Sequence, residues 1–149
     1  MFFNLKNNMG KYQKIVVSGC LIKNGKVLLI RRSINETFLP GYHELPGGKV
    51  EFGEKLEAAL QREFKEEVNL QVEVVRPYHT LSYTMERGKC HTVEIIFIVK
   101  LRGSLNNINL GQDHDNYKWV SGKDIEKLLV TSEIILAIRK GLEASQLNS

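Results

Sequence analysis

The spacing of apolar and polar positions changes several times along this chain, and each change marks an element. From Ile15 to Ile22 almost every position is apolar or small, the pattern of a strand covered on both faces. Lys23-Asn24-Gly25-Lys26 reads as a hairpin turn into a second apolar run, Val27 to Arg32. Ser33 to Tyr42 has no period and reads as a polar loop placed to cover a pocket. Glu44-Leu45 then leads into a Pro46-Gly47-Gly48 turn. Beyond it Leu56, Leu60 and Phe64 recur every four residues, with Ala59 beside them, which predicts a helix with a narrow apolar stripe. Val72 and Val74 alternate with polar residues as a strand, and Leu81 and Tyr83 continue the pattern past Pro77. Glu86-Arg87-Gly88-Lys89 reads as the turn that returns the chain through a strand from Thr92 to Leu101. Ser121, with Asp124 three residues on, signals a short helix over Ile125 to Leu129. Ile134, Ile135, Ile138 and Leu142 mark a last helix from about Ser132 to Leu142. This order predicts an α/β fold in which a mixed sheet lies between helices.

Composition narrows the class without naming a function. At 149 residues the chain has room for one buried core, and residues 12–145 are read as a single domain behind a flexible extension over residues 1–11. No stretch approaches the ~20 apolar residues needed to cross a bilayer. Met1-Phe2-Phe3-Asn4-Leu5 is apolar but too short for a secretory core, so a cytoplasmic protein with no membrane partner is expected. Cys20 and Cys90 fall in strand regions and are expected to stay reduced as space-filling thiols. The net charge of +4 is spread over Lys6, Lys11, Lys14, Arg31, Arg32, Arg76, Arg87 and Lys89, away from the predicted helix of Leu56 to Phe64. Such a balance suits a polyanionic small molecule and is too modest to imply a stable nucleic-acid partner.

The chemistry is concentrated in two runs, Gly48-Lys49-Val50-Glu51-Phe52-Gly53-Glu54 and Arg62-Glu63-Phe64-Lys65-Glu66-Glu67-Val68-Asn69-Leu70. On a helix Glu63 stands three residues before Glu66 and four before Glu67, so all three project from one face. Carboxylates crowded in this way repel one another unless a cation sits among them. Hard oxygen ligands favour magnesium or manganese over zinc, which would ask for His or Cys. Arg62 can pair with Glu54 or Glu63 and fix a carboxylate's orientation. The plainer reading is a solvated, Glu-rich surface helix, but the pattern does more than repeat charge.

These residues resemble the signature of the Nudix hydrolases: Gly, five residues, Glu, seven residues, then Arg-Glu-U-x-Glu-Glu-x-Gly-U, where U is apolar. Gly48, Glu54, Arg62, Glu63, Glu66 and Glu67 stand at the fixed positions, with Phe64 and Leu70 at the apolar ones. Fixed identities at about 7% usage or less put a chance match on the order of 10⁻⁷ per register. One position departs: Asn69 stands where the family usually has Gly, and Asn is the next most tolerant residue for a left-handed helix end. Looser similarity flanks the signature, in Val27-Leu28-Leu29-Ile30-Arg31-Arg32 before it and Tyr117-Lys118-Trp119-Val120 after it. The resemblance implies a Nudix-type α/β/α sandwich around a mixed sheet.

It also implies roles. Glu66 and Glu67 would carry a magnesium ion (or manganese) most directly, Glu63 would act as ligand or general base, and the Gly47 carbonyl would be a further ligand. Glu54 would pair with Arg62 and hold the loop, which makes Glu54, Arg62, Glu63 and Glu67 the catalytic set. Resemblance to MutT-type members places an extra metal-binding acid at Asp113; the plain reading of Gly111-Gln112-Asp113-His114-Asp115 is a solvated turn. Arg32, Glu44, Gly48 and Lys49 are the expected substrate contacts. Glu94 interrupts the apolar run Val93 to Val99 and either lines a pocket or points to solvent. His43, His79 and His91 lack metal-ligand spacing and read as structural or substrate-lining. Phe38, Tyr42, Tyr78 and Tyr83 offer faces for stacking a base, or belong to the core.

The expected reaction is attack of water on a diphosphate linkage in a nucleoside triphosphate or related derivative. Sub-signatures of the other Nudix classes are missing: Glu86 stands where many ADP-ribose hydrolases carry Pro, and Gly88 where many diadenosine polyphosphate hydrolases carry Tyr. ADP-ribose, dinucleoside polyphosphates and nucleotide sugars stay open as alternatives, as does a non-catalytic nucleotide-sensing module. Against the last, Glu63, Glu66 and Glu67 are all retained. Family members are often dimers, so a homodimer is also an expectation.

Overall fold

The computed structural model describes residues 10–105 and 108–147. The extension expected over residues 1–11 therefore lies outside the described residues except for Gly10 and Lys11. The chain runs β1 (Tyr12–Lys23), β2 (Lys26–Arg32), β3 (His43–Glu44), β4 (Gly47–Lys49), α1 (Leu56–Val68), β5 (Gln71–Met85), β6 (Cys90–Arg102), β7 (His114–Ser121) and α2 (Ser132–Gln146). The strands form one mixed sheet of order β3-β2-β1-β6-β5, with β4 also on β1 and β7 on β2. Its centre is a parallel pair, β1 with β6, registered from Tyr12 opposite Cys90 to Leu21 opposite Val99. All other pairings are antiparallel.

Alternation of side chains along the central strands creates two cores. Val17 and Leu21 of β1, Leu28 and Ile30 of β2, and Phe97 and Val99 of β6 pack with Leu60, Phe64 and Val68 of α1. Cys20, Val27, Leu29, Ile96 and Ile98 point the other way and pack with Ala137 and Ile138 of α2. A strand buried on both faces has no polar side to show, which is why Ile15 to Ile22 reads as unbroken apolar sequence. Phe64 lies where Gly19 passes beneath it, so closely that a β-carbon on Gly19 would overlap the ring. Cys20 and Cys90 are buried free thiols, and burial pushes Cys20 up to about 11. No helix among the described residues is long and apolar enough to cross a membrane.

Three expectations change. The Pro46-Gly47-Gly48 turn is instead the start of β4, whose Gly47 pairs with Ser18 and Gly48 with Val17. Gly47 lies so close that a β-carbon there would meet the Val17 carbonyl, so the absence of side chains serves strand contact rather than reversal. The helix expected over Ile125 to Leu129 is a single 3₁₀ turn, Ile125–Lys127. Ser121 Oγ donates to Asp124 Oδ2 at 2.6 Å and caps no backbone amide, and Leu128 is already extended. The last helix runs a turn further than predicted, to Gln146, and its start is capped by Thr131, whose Oγ1 accepts from Ile134 N. Pro77 is absorbed within β5, beside two register shifts at Val74/Arg76 and Pro77/His79, where a missing N–H costs no regular ladder bond.

Candidate active site

One turn of α1 after another brings Arg62, Glu63, Glu66 and Glu67 to the end of the sheet where β4 crosses β1. Arg62 ties the loop to the helix. Its Nε donates to Glu54 Oε2 at 2.8 Å, Nη2 to Glu54 Oε1 at 2.9 Å and to the Lys49 carbonyl at 3.0 Å, and Nη1 to Glu63 Oε1 at 2.8 Å. A longer bond from Nη1 reaches Glu66 Oε2 at 3.2 Å. The forked guanidinium holds Glu54 down to about 2, well below the usual carboxylate range.

Glu63 and Glu67 face the other way in charge. Burial raises both above the ordinary range, Glu67 strongly so, and the neighbouring charges of Glu44, Glu63 and Asp113 push Glu67 further. The Gly47 amide opposes this by donating to Glu67 Oε2 at 2.9 Å. Gly48 has to lack a side chain, because a β-carbon there would run into the Glu63 carboxylate. Among the described residues no three acidic or imidazole groups stand close enough together to hold an ion as they are; Arg62 is drawn among them instead. The donor set still fits a divalent cation: Glu63 shares the one Arg62 guanidinium with Glu54 and Glu66, and desolvated Glu67, with the like charges of Glu44, Glu63 and Asp113 near it, has no ion-pair partner among the described residues.

These acids open onto a cleft of about 490 Å³. Glu63, Glu67, Gly47, Gly48, Lys49, Arg32, Glu44 and Asp113 all line it, so the sequence-expected contacts converge. Three do not: Glu54 and Arg62 lie behind the lining as its brace, and Glu66 is outside it, its side chain 58% exposed. Arg32 is held in the lining with Nε on the Phe38 carbonyl at 2.6 Å and its two amino groups on Glu44 and Glu36. That anchoring turns Ser33 to Tyr42, expected as a loop over a pocket, into part of the wall, with Phe38, Leu39 and Tyr42 lining it. Glu44 Oε1 is also 2.8 Å from His114 Nε2. His114 and His43 are buried, and neither ring nitrogen of His43 has a partner among the described residues. Burial lowers His43 accordingly.

Several lining residues carried no signal of their own in the sequence. Ser18 was one small polar residue in an apolar run, and Thr131 and Ile134 come from the start of α2, far along the chain. Glu94 lines the cleft rather than pointing to solvent.

Residues 13–137 match the NUDIX domain. An ADP-ribose pyrophosphatase from Methanocaldococcus jannaschii is 31% identical over 136 residues, covering 88% of this chain and 78% of the relative. The nucleoside triphosphatase NudI of Escherichia coli O139:H28 is 28% identical over 137 residues, 87% of this chain and 94% of that protein. Among solved structures, the MutT protein from Methanosarcina mazei Go1 superposes with a TM-score of 0.76 at 23% identity, covering 91% of this chain and 96% of its own. A MutT Nudix hydrolase from Burkholderia pseudomallei gives 0.76 at 21% identity, covering 87% and 98%. The fold is the Nudix α/β/α sandwich. The chain belongs to the Nudix family and is a MutT-like Nudix hydrolase.

Proposed function

We propose that this enzyme is a magnesium-dependent pyrophosphohydrolase of nucleoside triphosphates. The observation that carries it is one cleft lined both by the desolvated Glu63–Glu67 pair and by the cationic side chains of Arg32, Lys14 and Lys49. Such a cleft can attract a polyphosphate and supply a proton acceptor beside it. Magnesium held by Glu63, Glu66, Glu67 and the Gly47 carbonyl, with Asp113 as a further acid, would supply charge neutralisation at the phosphoryl oxygens. Glu63, whose carboxylate burial makes more basic, is suited to take a proton from the attacking water. Water adds to one phosphorus, the bridging P–O bond breaks, and the departing oxygen keeps the bond electrons. A nucleoside triphosphate thus gives a nucleoside monophosphate and pyrophosphate. Arg62 and Glu54 take no part in the bond changes and keep Glu63 and the Lys49 backbone in place.

A second reading, hydrolysis of ADP-ribose, is favoured by the name of the Methanocaldococcus relative. Release of phosphate-containing products separates the two. The panel comprises the eight common nucleoside triphosphates, oxidised guanine nucleotides, ADP-ribose, diadenosine polyphosphates and coenzyme A, each with and without magnesium. Magnesium-dependent cleavage of triphosphates to monophosphate and pyrophosphate is the expected result. Cleavage confined to ADP-ribose would replace the first reading by the second. Nucleotide binding without turnover anywhere would remove both.

A further inference from the structure

The cleft continues past the carboxylates onto the α2 side of the sheet, a region that the hydrolysis itself does not use. Val16, Glu94 and Leu81 are successive register partners across β1, β6 and β5, so their side chains share one face, and all three line the cleft. A carboxyl in the middle of such a row is expensive to bury. Glu94 is nevertheless only 6% exposed, and its Oε1 accepts the hydroxyl of Ser18, itself 3% exposed, at 2.5 Å. Next to it the rings of Tyr83 and Phe38 stack, with centroids 6.0 Å apart and planes 6° from each other, the Arg32 guanidinium lies over the Phe38 ring, and all three residues line the cleft.

Aromatic surface beside a fixed polar group suits a flat ligand with a polar edge. Ribose is not flat, and phosphate gains nothing from a buried carboxyl. A nucleobase fits both features at once: its face can lie on an aromatic ring and its edge carries donors and acceptors. We propose that Glu94, held in place by Ser18, is the specificity-determining residue that reads the hydrogen-bonding edge of the substrate's nucleobase, with the aromatic surface headed by Tyr83 receiving its face. This rests on the nucleotide reading of the cleft. Burial is the main reason that Glu94 lies above the usual carboxylate range, although the Ser18 hydroxyl pulls it down. In its protonated form the carboxyl offers a donor and an acceptor side by side, the complement of a lactam or amidine edge.

The test is titration calorimetry with magnesium present, using the four ribonucleoside 5′-monophosphates and pyrophosphate alone. It compares the wild-type chain with Glu94→Leu and Glu94→Gln. The wild type is expected to discriminate among bases by about tenfold or more in Kd. Glu94→Leu should collapse that spread to within about threefold while leaving pyrophosphate affinity unchanged, and Glu94→Gln, which keeps a donor and an acceptor, should retain it. If Glu94→Leu does not melt cooperatively, Ser18→Ala, which only unmoors the carboxyl, is judged by the same criterion. No spread in the wild type, or a spread that survives Glu94→Leu, overturns the assignment. In the second case a fall in kcat would make Glu94 a proton-transfer group instead. Base discrimination without turnover of any triphosphate would remove the hydrolysis reading and leave this one standing; turnover without base discrimination would do the reverse.

Discussion

The Arg62 guanidinium grips both oxygens of Glu54, Nε to Oε2 at 2.8 Å and Nη2 to Oε1 at 2.9 Å, across the loop that separates β4 from α1. The same group donates to Glu63 and to the Lys49 carbonyl, so one side chain fixes a loop, a strand end and an acid of the site. Arg62→Lys keeps the charge and loses the fork. Its kcat/KM is expected to fall about 10–100-fold with a matching loss of magnesium affinity, the usual effect of removing a group that orients a metal ligand. Steady-state kinetics across a magnesium titration would show it, and an activity within twofold of wild type would contradict the bracing role.

Glu67 should trade stability for activity in a pH-dependent way. Its folded-state pKa is raised, chiefly by burial, above the unfolded value of about 4.3. Without metal, the stabilisation from this raised value is complete below about pH 4.3 and is lost as pH climbs through the folded pKa. Glu67→Gln has no such loss. The Tm difference, variant minus wild type, should therefore widen from pH 4 to pH 8 in the absence of metal and shrink when magnesium is added. Turnover of the variant should drop on the order of 10²-fold or more. A Tm difference flat in pH would show that Glu67 is not a strained carboxylate.

Gly48→Ala puts a methyl group where the Glu63 carboxylate lies. Either the acid moves or β4 does. Overpacking of this kind costs about 1–3 kcal/mol, and displacing a reacting group by about 1 Å costs about 10²-fold in rate. Thermal melting and kcat measured on the same preparation would detect both. A variant that is fully active at an unchanged Tm would mean that the close approach is not required.

Asn69 ends α1 in the left-handed region, at φ 57° and ψ 36°. An alanine in that conformation is disfavoured by about 1–2 kcal/mol. Asn69→Ala should lower stability by roughly that amount and leave KM unchanged, and Asn69→Gly should be tolerated. Chemical denaturation decides this, and equal stability of all three chains would rule it out.

The carboxylate helix was legible because its information is local. Glu63, Glu66 and Glu67 share a face by helical period alone, and the partnership of Arg62 with Glu54 and Glu63 follows from their spacing. The two-faced apolar strands announced the sheet in the same way. What could not be read depends on register between distant strands. Whether Glu94 faces a cleft or solvent is settled by its pairing with Val16 and Leu81, and nothing near Glu94 in the sequence encodes that. The Glu44–His114 contact joins residues 70 positions apart. Pro46-Gly47-Gly48 was misread as a turn because turns and close-packed strands both select glycine, for different physical reasons.

The parallel pairing of β1 with β6 joins residues 78 positions apart. As the chain leaves the ribosome, α1 and its acids are therefore made well before the strand that completes the centre of the sheet. Closing so long a loop is entropically slow, and contacts this distant delay folding. The cleft is thus completed late in biosynthesis, when the docking of β6 brings Glu94 into its lining.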